Sequence, residues 1–184
     1  MKEYITNLTR SNVIESQHKI KLLIGKINED VLLSSGNDNE YIYPRSSIKV
    51  FQAIPFINAN GISSYNLNQK CLALACSSHR GESYHLKELN KWIIKLGIKT
   101  SKLKCGIHRP LNLKAADRIF KSNKKLNQLY NNCAGKHLAM ITSCILNKYN
   151  INNYLNFNHP HQIAIRKIFE EFSENKILKK NYGI

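Results

Sequence analysis

Hydrophobic periodicity changes its rhythm once along this chain, and that change bounds the fold. The stretch Val13 to Leu33 (VIESQHKIKLLIGKINEDVLL) alternates apolar and polar residues in places and predicts two strands, with a turn near Lys26 to Asp30. SSGNDNE predicts a second turn and YIYP another strand-like piece. From Arg45 onward the rhythm is helical: Ile48, Phe51, Ile54 and Ile57 recur at every third residue, with Pro55 predicting a kink or an early stop. Leu72 to Cys76 reads as a short buried helix. YHLKELNKWIIKLGI places Leu86, Leu89, Ile93 and Leu96 on one face and Gly97 at the C-terminal cap. Leu138, Ile141 and Ile145 form a buried stripe in a later helix. A last helix starts at His159 and Pro160 and turns Ile165, Ile168, Phe169 and Phe172 inwards. The expected class is therefore α+β, N-terminal β-hairpin strands followed by a mainly helical region.

The 184 residues suffice for one ordinary domain, so residues 1–184 are read as a single unit without a linker. The formal charge of +16 points first to nucleic acid, yet only 6 of the 28 basic residues are arginine and none cluster in runs of three. With no binding motif beside the charge, nucleic acid is not expected as a partner. The start, MKEYITNLTRSN, lacks an apolar signal core, and no window is long enough to span a bilayer. The expectation is a cytoplasmic protein without a membrane partner. Its five cysteines are expected as reduced thiols, mostly buried.

Ser-x-x-Lys occurs five times, at Ser16/Lys19, Ser46/Lys49, Ser101/Lys104, Ser122/Lys125 and Ser173/Lys176. Ser46/Lys49 stands where a helix is predicted to begin, so the hydroxyl would lie near free backbone N–H groups with the lysine one turn on. A lysine desolvated there loses its proton more easily and can serve as base for the hydroxyl. The competing reading has Ser46 or Ser47 capping the helix and Lys49 solvated. CSSHRGES (76 to 83) has the composition of a substrate loop and equally of any surface loop. NNCAGKH (131 to 137) sets Cys133, Lys136 and His137 at a helix entrance suited to thiolate or anion binding. Cys133 and His137 share a helical face and could hold zinc, but two ligands make no site. His79, His85, His108, His159 and His161 read as caps or loop hydrogen-bonders.

Taken in order, RSNVIESQH (10 to 18), PRSSIK (44 to 49) with FQAIP, LACSSHRGESYH (74 to 85), LKCGIHRP (103 to 110), NNCAGKH (131 to 137) and HPHQ (159 to 162) resemble the bacterial L-asparaginases of the rhizobial, thermolabile type. The resemblance runs from about Arg10 to Phe172. It implies an incomplete fold similar to serine β-lactamases and glutaminases, with Ser-x-x-Lys opening the central helix. It implies hydrolysis of L-asparagine to L-aspartate and ammonia, with Ser46 as nucleophile or part of a serine pair, Lys49 as the activating base and Ser78 as a second active-site serine. Arg45 and His137 would bind the substrate. Cys133 and Lys136 would help hold a zinc ion, the lysine as a neutral amine, so that binding tightens as pH rises.

This sequence departs from the family pattern at Ala134, where a serine is usual. Family members also run on past the position of Ile184 into a segment with a third zinc-binding cysteine and a further active-site lysine. The expectation is thus an N-terminal part with an impaired or inactive site, partnered by a second copy or by a separately encoded C-terminal half. The alternatives are a non-catalytic interaction module and, last, a basic nucleic-acid binder.

Overall fold

The computed structural model describes residues 4–26, 30–35 and 42–178. The chain divides into two compact units, Met1–Tyr43 and Pro44–Ile184, each described here on its own.

The first unit consists of two antiparallel pairs, so the α+β expectation holds at this coarse level. Strand β1 (Tyr4–Arg10) pairs with β2 (Val13–Ile20), Tyr4 opposite Ile20 and Arg10 opposite Val13, with a bulge between Leu8 and Thr9. Ser11 and Asn12 both have positive φ, 45° and 67°, the turn geometry whose twist matches that of the two strands. β1 was not anticipated from the sequence, because YITNLTR alternates too weakly to show a buried face, and almost all of it is exposed. Strand β3 (Leu22–Gly25) pairs with β4 (Val31–Ser35). The middle of the predicted turn at Lys26 to Asp30, residues 27–29, lies outside the described residues, as do residues 36–41 of the SSGNDNE turn and the start of YIYP. Ile42 and Tyr43 carry no strand.

The second unit is helical in its described residues. A 3₁₀ turn, Arg45–Ile48, leads into α1 (Lys49–Asn58), followed by α2 (Gly61–Ser64), α3 (Gln69–Cys76), α4 (Ser83–Leu96), α5 (Leu113–Lys121), α6 (Ala134–Leu146) and α7 (Pro160–Ser173). Pro55 is accommodated inside α1, which ends three residues later, and its carbonyl still accepts from Ala59 N–H. α5 escaped the sequence reading because it buries no residue and shows solvent both Leu113 and Phe120.

The most enclosed helix is α6, not the helix that begins with Lys49. Ten of its residues are buried, as expected for a helix apolar on nearly every side. It packs against α1, α3 and α4. Trp92 of α4, fully buried, donates its indole N–H to Thr142 Oγ1 (3.0 Å) and lies 5.3 Å from the Phe56 ring of α1. Gly97 closes α4 with φ 65°, as its cap position predicts. His159 caps α7 by accepting from His161 N–H, with Pro160 in the first turn. Ile165 is buried there, but Phe172, expected inside, is 67% exposed, with its ring edge-on to Phe51. Only Cys71 and Cys144 are buried, fewer than expected; all five cysteines are free thiols.

One contact places the functional loops. A Cβ built on Gly135, in the first turn of α6, would stand 2.2 Å from the Leu74 carbonyl oxygen of α3. The absence of a side chain lets the start of α6 lie directly on the end of α3, which brings the residues after Cys76 beside those around Cys133. Gly135→Ala should therefore destabilise the protein by about 1–3 kcal/mol or more, despite alanine's better helix propensity. Urea unfolding measures this, and an unchanged or raised midpoint would contradict the packing described.

Candidate active site

The 3₁₀ turn winds Ser46 one turn ahead of Lys49, and Lys49 N–H bonds back to the Ser46 carbonyl. Neither serine caps α1: its N-cap is Ile48 without a side-chain bond, and Ser47 Oγ donates to the Pro44 carbonyl instead. Lys49 is not solvated either, at 3% exposure. The capping interpretation of this pair thus fails on both its parts. Lys49 Nζ donates to the Ser77 carbonyl (3.1 Å) and to Ser78 Oγ, and Ser78 Oγ lies 3.2 Å from Ser46 Oγ as its donor. The three predicted residues form one chain, Lys49–Ser78–Ser46, in which lysine reaches the first serine through the second. Its outer end is open, since Ser46 and Ser78 are exposed.

Backbone bonds hold the second cluster against this chain. His79 N–H donates to the Asn132 carbonyl (3.2 Å). Asn131, buried, donates from Nδ2 to the Cys105 carbonyl (2.6 Å) and accepts Cys133 N–H at Oδ1 (2.8 Å). His108 Nε2 lies 3.2 Å from Asn132 Oδ1. The segments around 78, 105 and 133 are thereby joined through one asparagine pair. Both asparagines stood in the NNCAGKH motif, but nothing in the sequence marked them as the joint.

Burial lowers the Lys136 pKa most; Cys133 raises it again and Lys49 lowers it further. Burial also pushes the Cys105 thiol up to about 11 and His137 down to about 3, the latter helped by the charges of Lys136 and Lys49. His137 is therefore a neutral imidazole. Its Nδ1 lies 2.5 Å from Tyr154 Oη. Arg45 heads the 3₁₀ turn, exposed and with φ 48°, a left-handed conformation uncommon for a side chain of its kind. It makes no side-chain hydrogen bond to the other site groups among the described residues. Among the described residues no three His, Cys, Asp or Glu side chains converge as metal ligands, and no helix is long and apolar enough to cross a membrane.

The other histidines mostly behave as structural groups. His85 receives Glu82 N–H, and His79 Nδ1 receives Gly81 N–H. His161 differs, because neither buried ring nitrogen has a hydrogen-bond partner. It lines a cleft of about 180 Å³ with Pro55, Asn58, Ser143, Asn147 and Tyr149, at the far end of α1 from Lys49. Burial lowers both His79 and His161 to about 4, with His85 adding to the effect on the former and His159 on the latter.

A histidine with a depressed folded-state pKa binds fewer protons than in the unfolded chain between about pH 4 and its ordinary value near 6.5. The stability it contributes is complete above about 6.5 and is lost as pH falls towards 4. Unfolding stability should drop by about 1–2 kcal/mol per histidine from pH 7 to pH 5. Replacing His161 by Gln should flatten that dependence, and denaturant titration at both pH values is the check. A steeper fall in the variant would contradict it.

The chain has no match among curated proteins. The family model described as L-asparaginase II matches residues 6–184, which takes in both units and every residue of the Lys49–Ser78–Ser46 chain. On that match the chain belongs to the L-asparaginase II family.

Proposed function

We propose that the protein hydrolyses the side-chain amide of L-asparagine, giving L-aspartate and ammonia, with Ser46 as nucleophile. The observation that carries this reading is the Lys49–Ser78–Ser46 hydrogen-bond chain. With Lys49 as the neutral amine and both hydroxyls turned so that the two bonds reverse, its lone pair accepts the Ser78 proton while Ser78 Oγ accepts that of Ser46. Ser46 Oγ then attacks the amide carbon, and the proton stored on Lys49 returns through Ser78 to the departing nitrogen. Ammonia leaves, and a β-aspartyl ester remains on Ser46. Water attacks that ester by the same proton path in reverse, releasing L-aspartate. The Ser77 carbonyl fixes the amine's direction throughout. Arg45 and His137 are assigned to the substrate's carboxylate, the first as a charged donor and the second as a neutral one.

Zinc, which the sequence resemblance implies, would take Cys133 and Lys136 as two of its ligands at the start of α6. Cys133 and Lys136 stand one turn apart, and burial favours the neutral amine a metal needs. A metal held there would supply a fixed positive charge beside the site.

A second reading, a non-catalytic interaction module, is favoured by the apolar side chains on the strands, with Val13 68% and Leu32 62% exposed. One experiment separates the two. Under the enzymatic reading the purified protein releases ammonia from L-asparagine, Lys49→Met lowers the rate by about 10²–10⁴-fold, and Ser46→Ala lowers it at least as far. No ammonia above background from the intact protein, or a Ser46→Ala variant as active as its parent, would overturn it.

A further inference from the structure

Tyr154 sits in the asparagine-rich connection between α6 and α7, where no motif pointed to it, yet it is fully buried. Three motif segments meet on it. Lys104 N–H, from LKCGIHRP, donates to its hydroxyl at 2.8 Å. Gln162 Nε2, from HPHQ, donates to its carbonyl at 2.8 Å. His137 Nδ1, from NNCAGKH, lies 2.5 Å from its hydroxyl, with the rings edge to face at 79°.

The direction of that last bond follows from counting hydrogens. A tyrosine hydroxyl has one proton to give, and burial requires that it be given. Lys104 N is a donor and cannot receive it, so the acceptor is His137 Nδ1. An imidazole that accepts at Nδ1 has no proton there and carries it on Nε2. His137 Nε2 has no hydrogen-bond partner among the described residues, and it is not among the fully enclosed polar atoms left unpaired. A donor in the first turn of α6 is thus left free.

We infer that Tyr154 is a positioning residue: it locks His137 in the Nε2–H tautomer and so presents that N–H to the carboxylate of the amide substrate. The substrate part rests on the function proposed above; the tautomer does not. Lys104 N–H holds the Tyr154 hydroxyl and Gln162 Nε2 its backbone carbonyl, so LKCGIHRP and HPHQ act on the site indirectly, by holding Tyr154. Phenylalanine keeps the ring and removes the hydroxyl, and with it both the proton that fixes the tautomer and the acceptor of Lys104 N–H.

The test uses the full chain labelled with ¹⁵N-histidine near neutral pH, the His137 signals being assigned by their loss in His137→Gln. Long-range proton–nitrogen correlations are expected to show a protonated Nε2 and a bare Nδ1. In Tyr154→Phe, with folding checked by circular dichroism, both tautomers are expected. A protonated Nδ1 in the parent, or an unchanged single tautomer in Tyr154→Phe, overturns the inference.

The second arm measures L-asparagine binding calorimetrically in a Ser46→Ala background, where the ligand is not turned over. Tyr154→Phe should raise the dissociation constant by roughly tenfold, the scale of one lost hydrogen bond to a charged group, and Tyr149→Phe should not change it. An unchanged constant beside a changed tautomer overturns the substrate part alone. If the Ser46→Ala parent binds no L-asparagine, the proposed function fails with the substrate part, and the correlations still decide the role of Tyr154.

Discussion

Two helices can meet backbone to backbone only where a side chain is missing, and the second unit is arranged around one such place. Gly135 lets the first turn of α6 rest on the Leu74 carbonyl of α3. The end of α3 releases Ser77 and Ser78 at that point, and the start of α6 presents Cys133, Lys136 and His137. α1 packs against both helices and supplies Lys49 from its first position. A methyl group at residue 135 would separate these ends, and hydrogen bonds of about 3 Å do not survive displacements of an ångström.

The electrostatic consequence is a crowd of basic groups with little water. The charge of Lys49 lowers the pKa of Lys136, His137 and His79, and that of Lys136 lowers His137 further. Such a cluster is tolerable only if some members stay neutral or are well hydrogen-bonded, since an uncompensated buried charge is costly. The histidines are neutral, Lys136 is shifted towards neutrality, and Lys49 is satisfied by Ser77 and Ser78. Proton acceptance by an amine in this setting is the property that amide hydrolysis through a serine requires. A basic surface alone, spread over 28 lysines and arginines, carries no such requirement.

Much of this was legible in the sequence, and the misses have physical reasons. α4 and α7 were visible because a continuous apolar stripe ends in recognisable caps, Gly97 in one and His159 with Pro160 in the other. β1 and α5 were not, since neither buries a face and periodicity reports burial. Phe172 followed the stripe in sequence but lies at the rim of the contact with α1, its ring beside Phe51 and 67% exposed. Spacing could not choose Ser46/Lys49 among five matches; their neighbours in sequence did. That Lys49 reaches Ser46 by way of Ser78, and that Asn131 and Tyr154 join the segments around them, depends on contacts between residues 26 to 50 positions apart, which no local pattern encodes.

The central claim is that Ser46 is the nucleophile and that Lys49 activates it through Ser78. The most direct measurement is peptide mass spectrometry after exposure to an L-asparagine analogue whose side-chain amide is replaced by a carbonyl electrophile. The account predicts one covalent adduct, on Ser46, absent from Lys49→Met and strongly reduced in Ser78→Ala. An adduct on Ser78, Ser47 or Cys133 instead, or labelling of Ser46 that is indifferent to Lys49, would contradict it.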